Sequence, residues 1–171
     1  HYFDATTAGL YAGIAAVARI LFFLTASIAQ VLLSKIRLKD NSAQNQKVLN
    51  KSLLLLSAIS LPLLAATIFF PAQVVRLLMG HAYTGMAGLL PRLSLSVFIV
   101  AVIILLATYY LALRRFGIAL LAAVGAAFTY LFIFLHHGSP AEVVVSLLLG
   151  SAATLFSVGV WKITERRYGE R

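Results

Sequence analysis

One charged side chain, Arg19, interrupts the apolar run from Tyr11 to Leu33. A guanidinium is a planar fork that donates two parallel hydrogen bonds, which suits phosphate and carboxylate oxygens. At the centre of a membrane span such a charge costs about 2.5 kcal/mol on insertion scales, so it faces protein or water in preference to lipid. Gln30 follows eleven residues later, only ~20° further round a helix, and Ala12, Ala15 and Ala26 fall on or near the same line. The spacing predicts a narrow face of arginine, glutamine and small side chains, and Tyr11 is a further candidate for the same cavity. Two readings fit it. Either the face lines a water-filled cavity in which Arg19, Gln30 and Tyr11 meet an anionic ligand, or Arg19 holds a carbonyl or carboxylate on another helix.

The remaining reactive residues offer little chemistry. The five acids, Asp4, Asp40, Glu142, Glu165 and Glu170, all sit at span ends or in connections. A proton or sodium site within the membrane normally needs a carboxylate. His136 and His137 are adjacent and therefore diverge on a helix, and the chain has no cysteine, so no zinc site is expected. There is no glycine-rich phosphate loop, nucleophile elbow or carboxylate pair. The expectation is a protein that is not an enzyme and carries no metal or cofactor.

The elements that must position Arg19 follow from composition. Hydrophobic residues make up 61% of the 171 and charged residues 11%, with a mean hydropathy of +0.96. A soluble domain is nearer half apolar and a quarter charged. This is an all-α integral membrane chain with the bilayer as its partner. A span needs about 20 apolar residues, and five candidates appear, at residues 7–33, 51–70, 89–113, 116–135 and 140–161, in a single bundle over 1–171. The net charge of +9 is not a nucleic-acid signature, because the basic residues gather at span ends. Lys35, Arg37, Lys39, Lys47 and Lys51 follow the first span, Arg114 and Arg115 join the third to the fourth, and Lys162, Arg166, Arg167 and Arg171 close the chain. Arg76 and Arg92 alone lie on the other side. That asymmetry predicts an N-terminus outside and a C-terminus in the cytoplasm. A first helix that starts outside, with no signal peptide before it, implies further helices upstream.

Local signals refine the picture. Ser139 to Glu142 reads as a capping box with Pro140 at the first helical position. Pro62 should kink the second span, through packing or as a hinge. Residues 71–79 read as a short interfacial helix closed by Gly80. Ser146, Gly150 and Thr154 in the fifth span, and Ala122 and Ala126 in the fourth, have the spacing of close helix contacts. Trp161 and Tyr168 fit an aromatic belt at the headgroups.

With those residues in view, the chain resembles the polysaccharide flippases of the multidrug/oligosaccharidyl-lipid/polysaccharide exporter superfamily. Ala8, Gly9 and Tyr11 match that family's small-Gly-x-Tyr helix opening; Phe70, Pro71, Gly80, Tyr83 and Ala87 match its later Phe-Pro and Gly-x-x-Tyr segment. A proline that often closes the first of these helices is replaced here by Leu33-Ser34. The resemblance implies the last five helices of a two-lobe, twelve-helix transporter of the bacterial inner membrane. It implies translocation of an undecaprenyl-diphosphate-linked oligosaccharide for polysaccharide biosynthesis, and the diphosphate would be the anion that draws Arg19. A peptidoglycan-precursor flippase, a cation-coupled drug exporter, or a non-transporting scaffold of a glycan-synthesis complex are the alternatives.

Overall fold

The structure, a computed structural model, describes residues 5–36 and 42–168. Among these it contains six α-helices and no strand: α1 (Ala5–Lys35), α2 (Ser42–Phe69), α3 (Pro71–Met79), α4 (Leu90–Ala112), α5 (Phe116–Leu135) and α6 (Pro140–Tyr168). A 3-10 segment, His81–Leu89, runs directly into α4. Five of these helices are long and apolar enough to cross a bilayer, with only the short α3 excluded. The chain is a multi-pass membrane protein.

Buried side chains form two clusters, one toward each end of the bundle. Ile14, Val17 and Ala18 of α1 meet Val75 of α3, Ala87, Leu90 and Leu93 before and within α4, and Val144 of α6. At the other end Ile28, Ala29 and Leu32 of α1 meet Leu49 and Leu56 of α2, Leu105, Tyr109 and Tyr110 of α4, Ile118 of α5 and Val158 of α6. The starts of α1, α4 and α6 thus share one end, and their finishes share the other with the starts of α2 and α5. Successive long helices run in alternating directions. α4 is central and touches α1, α2, α5 and α6. Outside these clusters the surface is apolar, as a lipid-facing surface must be: Phe23, Leu54, Phe69, Phe128, Tyr130 and Phe156 are all exposed.

The ends of the elements follow local chemistry. Glu142 N–H donates to Ser139 Oγ at 3.2 Å, and Ser139 Oγ in turn lies 3.2 Å from Glu142 Oε1. The carboxylate's other oxygen accepts from Gly138 N–H at 3.0 Å, so the capping box closes one residue further back than the usual pattern. Gly80 ends α3 with φ +91°, a conformation that favours glycine, and its N–H donates to Arg76 O.

Two helices are longer than the apolar runs that announced them. α2 begins at Ser42 rather than at residue 51, because Leu49 is fully buried and Asn45 nearly so; these turns pack on the bundle although their sequence is more polar than the run that follows. α6 continues past Trp161 to Tyr168. The side chain of Tyr168 lies outside the described residues, while Trp161 is exposed and stacks its indole against Gly117. Pro62 lies on the exposed side of α2, and the helix runs through it from Ser42 to Phe69.

Candidate functional site

α1 has two unlike faces. Gly13, Ile14, Val17, Ala18, Thr25, Ile28, Ala29 and Leu32 are buried against the bundle. Arg19 and Gln30 are exposed on the opposite side, together with Ala12. The expected face is therefore real in part, and Arg19 and Gln30 share it. Tyr11 does not: it is half-buried and packs with the cluster around Ile14 and Val75. Helical geometry accounts for the split, since Tyr11 lies ~80° from Arg19 but only ~60° from Ile14. Phe23, 68% exposed, stands one turn beyond Arg19 on its face. The spacing of four from Arg19 is the sequence signal that puts it there.

Glu142, the one acidic side chain described, is held at the start of α6 by Gly138 and Ser139. Asp4, Asp40, Glu170 and the side chain of Glu165 fall outside the described residues. Among the described residues no carboxylate reaches Arg19. Its fork is presented outward from the five-helix unit at mid-span, where it could take a phosphate or carboxylate brought by a ligand or by further helices.

The end of the bundle nearest Tyr11 is fixed by a glycine. A side chain at Gly13 would stand 2.7 Å from Tyr83 Cδ1 and 2.9 Å from Met79 Cε, closer than any real contact. Tyr83 can lie flat on α1 only because position 13 has no Cβ. The contact ties α1 to α3 and the 3-10 segment, and so fixes the helix that carries Arg19 at its N-terminal end. His136 and His137 stay in the α5–α6 connection; His136 Nδ1 lies 3.3 Å from Phe132 O. No group of three or more His, Cys, Asp or Glu side chains gathers among the described residues.

A family model described as polysaccharide biosynthesis protein matches residues 1–88. The match takes in α1, α2, α3 and nearly all of the 3-10 segment, and so includes both partners of the Gly13–Tyr83 contact. No curated protein and no solved structure matches the chain. With the match covering more than half of the 171 residues, the chain belongs to the polysaccharide biosynthesis protein family.

Proposed function

We propose that this chain is part of a flippase that carries an undecaprenyl-diphosphate-linked oligosaccharide across the bacterial inner membrane, and that it corresponds to the last five helices of a two-lobe, twelve-helix transporter. The observation that supports the reading is the exposed Arg19–Gln30 strip on α1 of a protein in a polysaccharide biosynthesis family. An arginine held outward at mid-span is expensive unless water or an anion meets it. In a complete transporter this strip would face the other lobe across a hydrated cavity. Arg19 would bind the diphosphate through two hydrogen bonds, and Gln30 would offer a neutral donor and acceptor one leaflet-depth along. Translocation breaks no covalent bond, so the residues needed are those that bind and release. The N-terminus of α1 would lie outside and the C-terminus of α6 in the cytoplasm, as the basic residues direct.

Arg19→Ala in the complete protein tests this. Surface glycan should fall about tenfold with protein abundance unchanged, because a hydrogen bond to a charged group contributes about 1.5–3 kcal/mol. Arg19→Lys should restore transport in part, keeping the charge but losing the fork. Normal glycan in the alanine variant would overturn the cavity role. A parallel collapse of abundance and thermal stability would instead mean that Arg19 holds another helix in place.

A further inference from the structure

Between Arg19 and Gln30 the exposed face of α1 carries a pair of aromatic rings. Phe22 and Phe23 stand edge to face, with centroids 6.5 Å apart and planes at 76°, and both rings are exposed. Phe23 follows Arg19 by four residues, ~40° round the helix and about 6 Å along it, so the ring is the fork's neighbour one turn on. Past the rings the face continues through Ala26, half-buried, to Gln30, exposed and about 10 Å beyond Phe23 along the axis. Ser27 adds no free hydroxyl there, because it donates to Phe23 O at 3.3 Å.

Phe23 belongs to the apolar exterior of the five-helix unit, yet its company sets it apart. Phe69, Phe128, Tyr130 and Phe156 are exposed to a similar extent, and none of them has a charged residue three or four positions away. Phe23 has Arg19 there. A face that keeps the guanidinium in water also keeps the ring beside it in water, where it stays uncovered until a ligand takes it. A two-pronged cation, a ring and an amide, in that order, are the contacts that a sugar diphosphate asks for. The fork takes phosphate oxygens. The face of an aromatic ring is negative and the C–H hydrogens on the apolar side of a pyranose are slightly positive, so the two meet flat. The amide of Gln30 can both donate to and accept from hydroxyls. A face prepared for the prenyl chain would instead stay apolar beyond the rings.

Building on the flippase reading above, we propose that Phe23, buttressed by Phe22, recognises the first sugar of the lipid-linked oligosaccharide. The ring stacks on the apolar face of that sugar while Arg19 holds the diphosphate and Gln30 meets hydroxyls further along. Phe23 is then a specificity-determining residue. A bare carrier and a loaded one both offer a diphosphate to Arg19, and the loaded one alone covers the ring.

Equilibrium binding to the complete protein in detergent, with undecaprenyl diphosphate either bare or carrying one N-acetylglucosamine, tests this. The wild type should bind the sugar-bearing lipid about fivefold more tightly, the gain that an aromatic contact adds beyond the area it buries. Phe23→Leu should bring the two affinities together by weakening the sugar-bearing lipid, and Phe23→Trp should keep them apart. Both changes exchange one exposed apolar side chain for another, so the fold should survive them. Phe156→Leu, which removes a similarly exposed ring from α6, should change neither affinity. Arg19→Ala should weaken both lipids alike, and this arm tests the flippase reading by itself: no loss there would overturn that reading. A loss in Arg19→Ala with the sugar preference intact in Phe23→Leu would overturn only the role of Phe23. Equal affinities in the wild type would overturn that role too. So would an equal weakening of both lipids by Phe23→Leu, which would give the ring to the prenyl chain.

Discussion

Arg114 holds φ at +57° in the turn between α4 and α5, the left-handed region that glycine occupies at most such helix ends. For a residue with a Cβ that conformation costs roughly 1–2 kcal/mol. Arg114→Gly should therefore raise stability by up to about 1 kcal/mol, the remainder being lost to the greater freedom of an unfolded glycine. Thermal unfolding in detergent would register this as a higher midpoint, with Arg114→Ala, which keeps the Cβ, showing no such gain. An unchanged midpoint in the glycine variant would mean that the turn is not strained. A positive charge is kept at a position where glycine would fit better, which agrees with charge serving topology there. Ser94, in contrast, is fully buried on α4 with no hydrogen-bond partner for its hydroxyl among the described residues. Ser94→Ala removes an uncompensated polar atom, so it should be neutral or slightly stabilising in the same assay, by about 1 kcal/mol at most; a loss of stability would reveal a partner for that hydroxyl. At this scale the sequence was partly legible. A lone arginine in an apolar run is visible at once, and its phase with Gln30 follows from the helical repeat. The same repeat sets Tyr11 off that line and Phe23 on it, whereas which face of α1 is covered depends on where α3 and α4 dock.

Between α5 and α6 the decisive residues are those without bulk. Gly125→Ala would push a methyl into Thr154, and overpacking of that kind costs about 1–3 kcal/mol. Gly159, on the same α6, has nothing within 4 Å of its missing Cβ; Gly159→Ala should be neutral or stabilising by up to about 1 kcal/mol through helix propensity. If the Gly125 loss comes from the threonine it meets, Thr154→Ala should recover at least 0.5 kcal/mol of it, the coupling typical of residues in contact. A double-mutant cycle on unfolding midpoints measures this, and strict additivity would mean that the helices do not cross there. The small-residue spacing in α6 was readable from sequence, and Gly150 and Thr154 do carry the contact. On α5 the spacing pointed to Ala122 and Ala126, yet Gly125 and Thr129 make the close approach, while Ala122 and Ala126 border a separate recess facing α4. The reason is physical: Ala122, Ala123, Gly125, Ala126 and Ala127 are all small, so composition offers several faces of equal merit, and the choice is made by α4 occupying one of them. The start of α2 was hidden for a related reason. A search for apolar length finds only the apolar part of a helix, whereas Asn45 and Leu49 belong to more polar turns that still pack.

Taken whole, the bundle has two buried clusters with its long helices alternating between them, and this arrangement fixes which termini and turns lie together without saying which side is outside. The proposed orientation rests on the charges. Lys35, Lys47, Lys51, Arg114, Arg115 and Lys162 all fall at the end where α1, α4 and α6 finish, and basic residues are retained on the cytoplasmic side. The chain has no cysteine of its own, which makes single-cysteine labelling direct. Ser139 is a poor probe position, because its hydroxyl serves the cap of α6; His136 is exposed one turn away in the same connection, and Lys47 is exposed on the opposite end of the bundle. A membrane-impermeant thiol reagent applied to intact cells should label His136→Cys and leave Lys47→Cys unmodified until the membrane is opened. Replacing one lysine leaves the charge asymmetry nearly whole, so neither variant should itself invert the protein. Labelling of Lys47→Cys in intact cells, with His136→Cys protected, would reverse the orientation. It would then put the start of α1, with Tyr83 and Met79 against Gly13, at the cytoplasmic face.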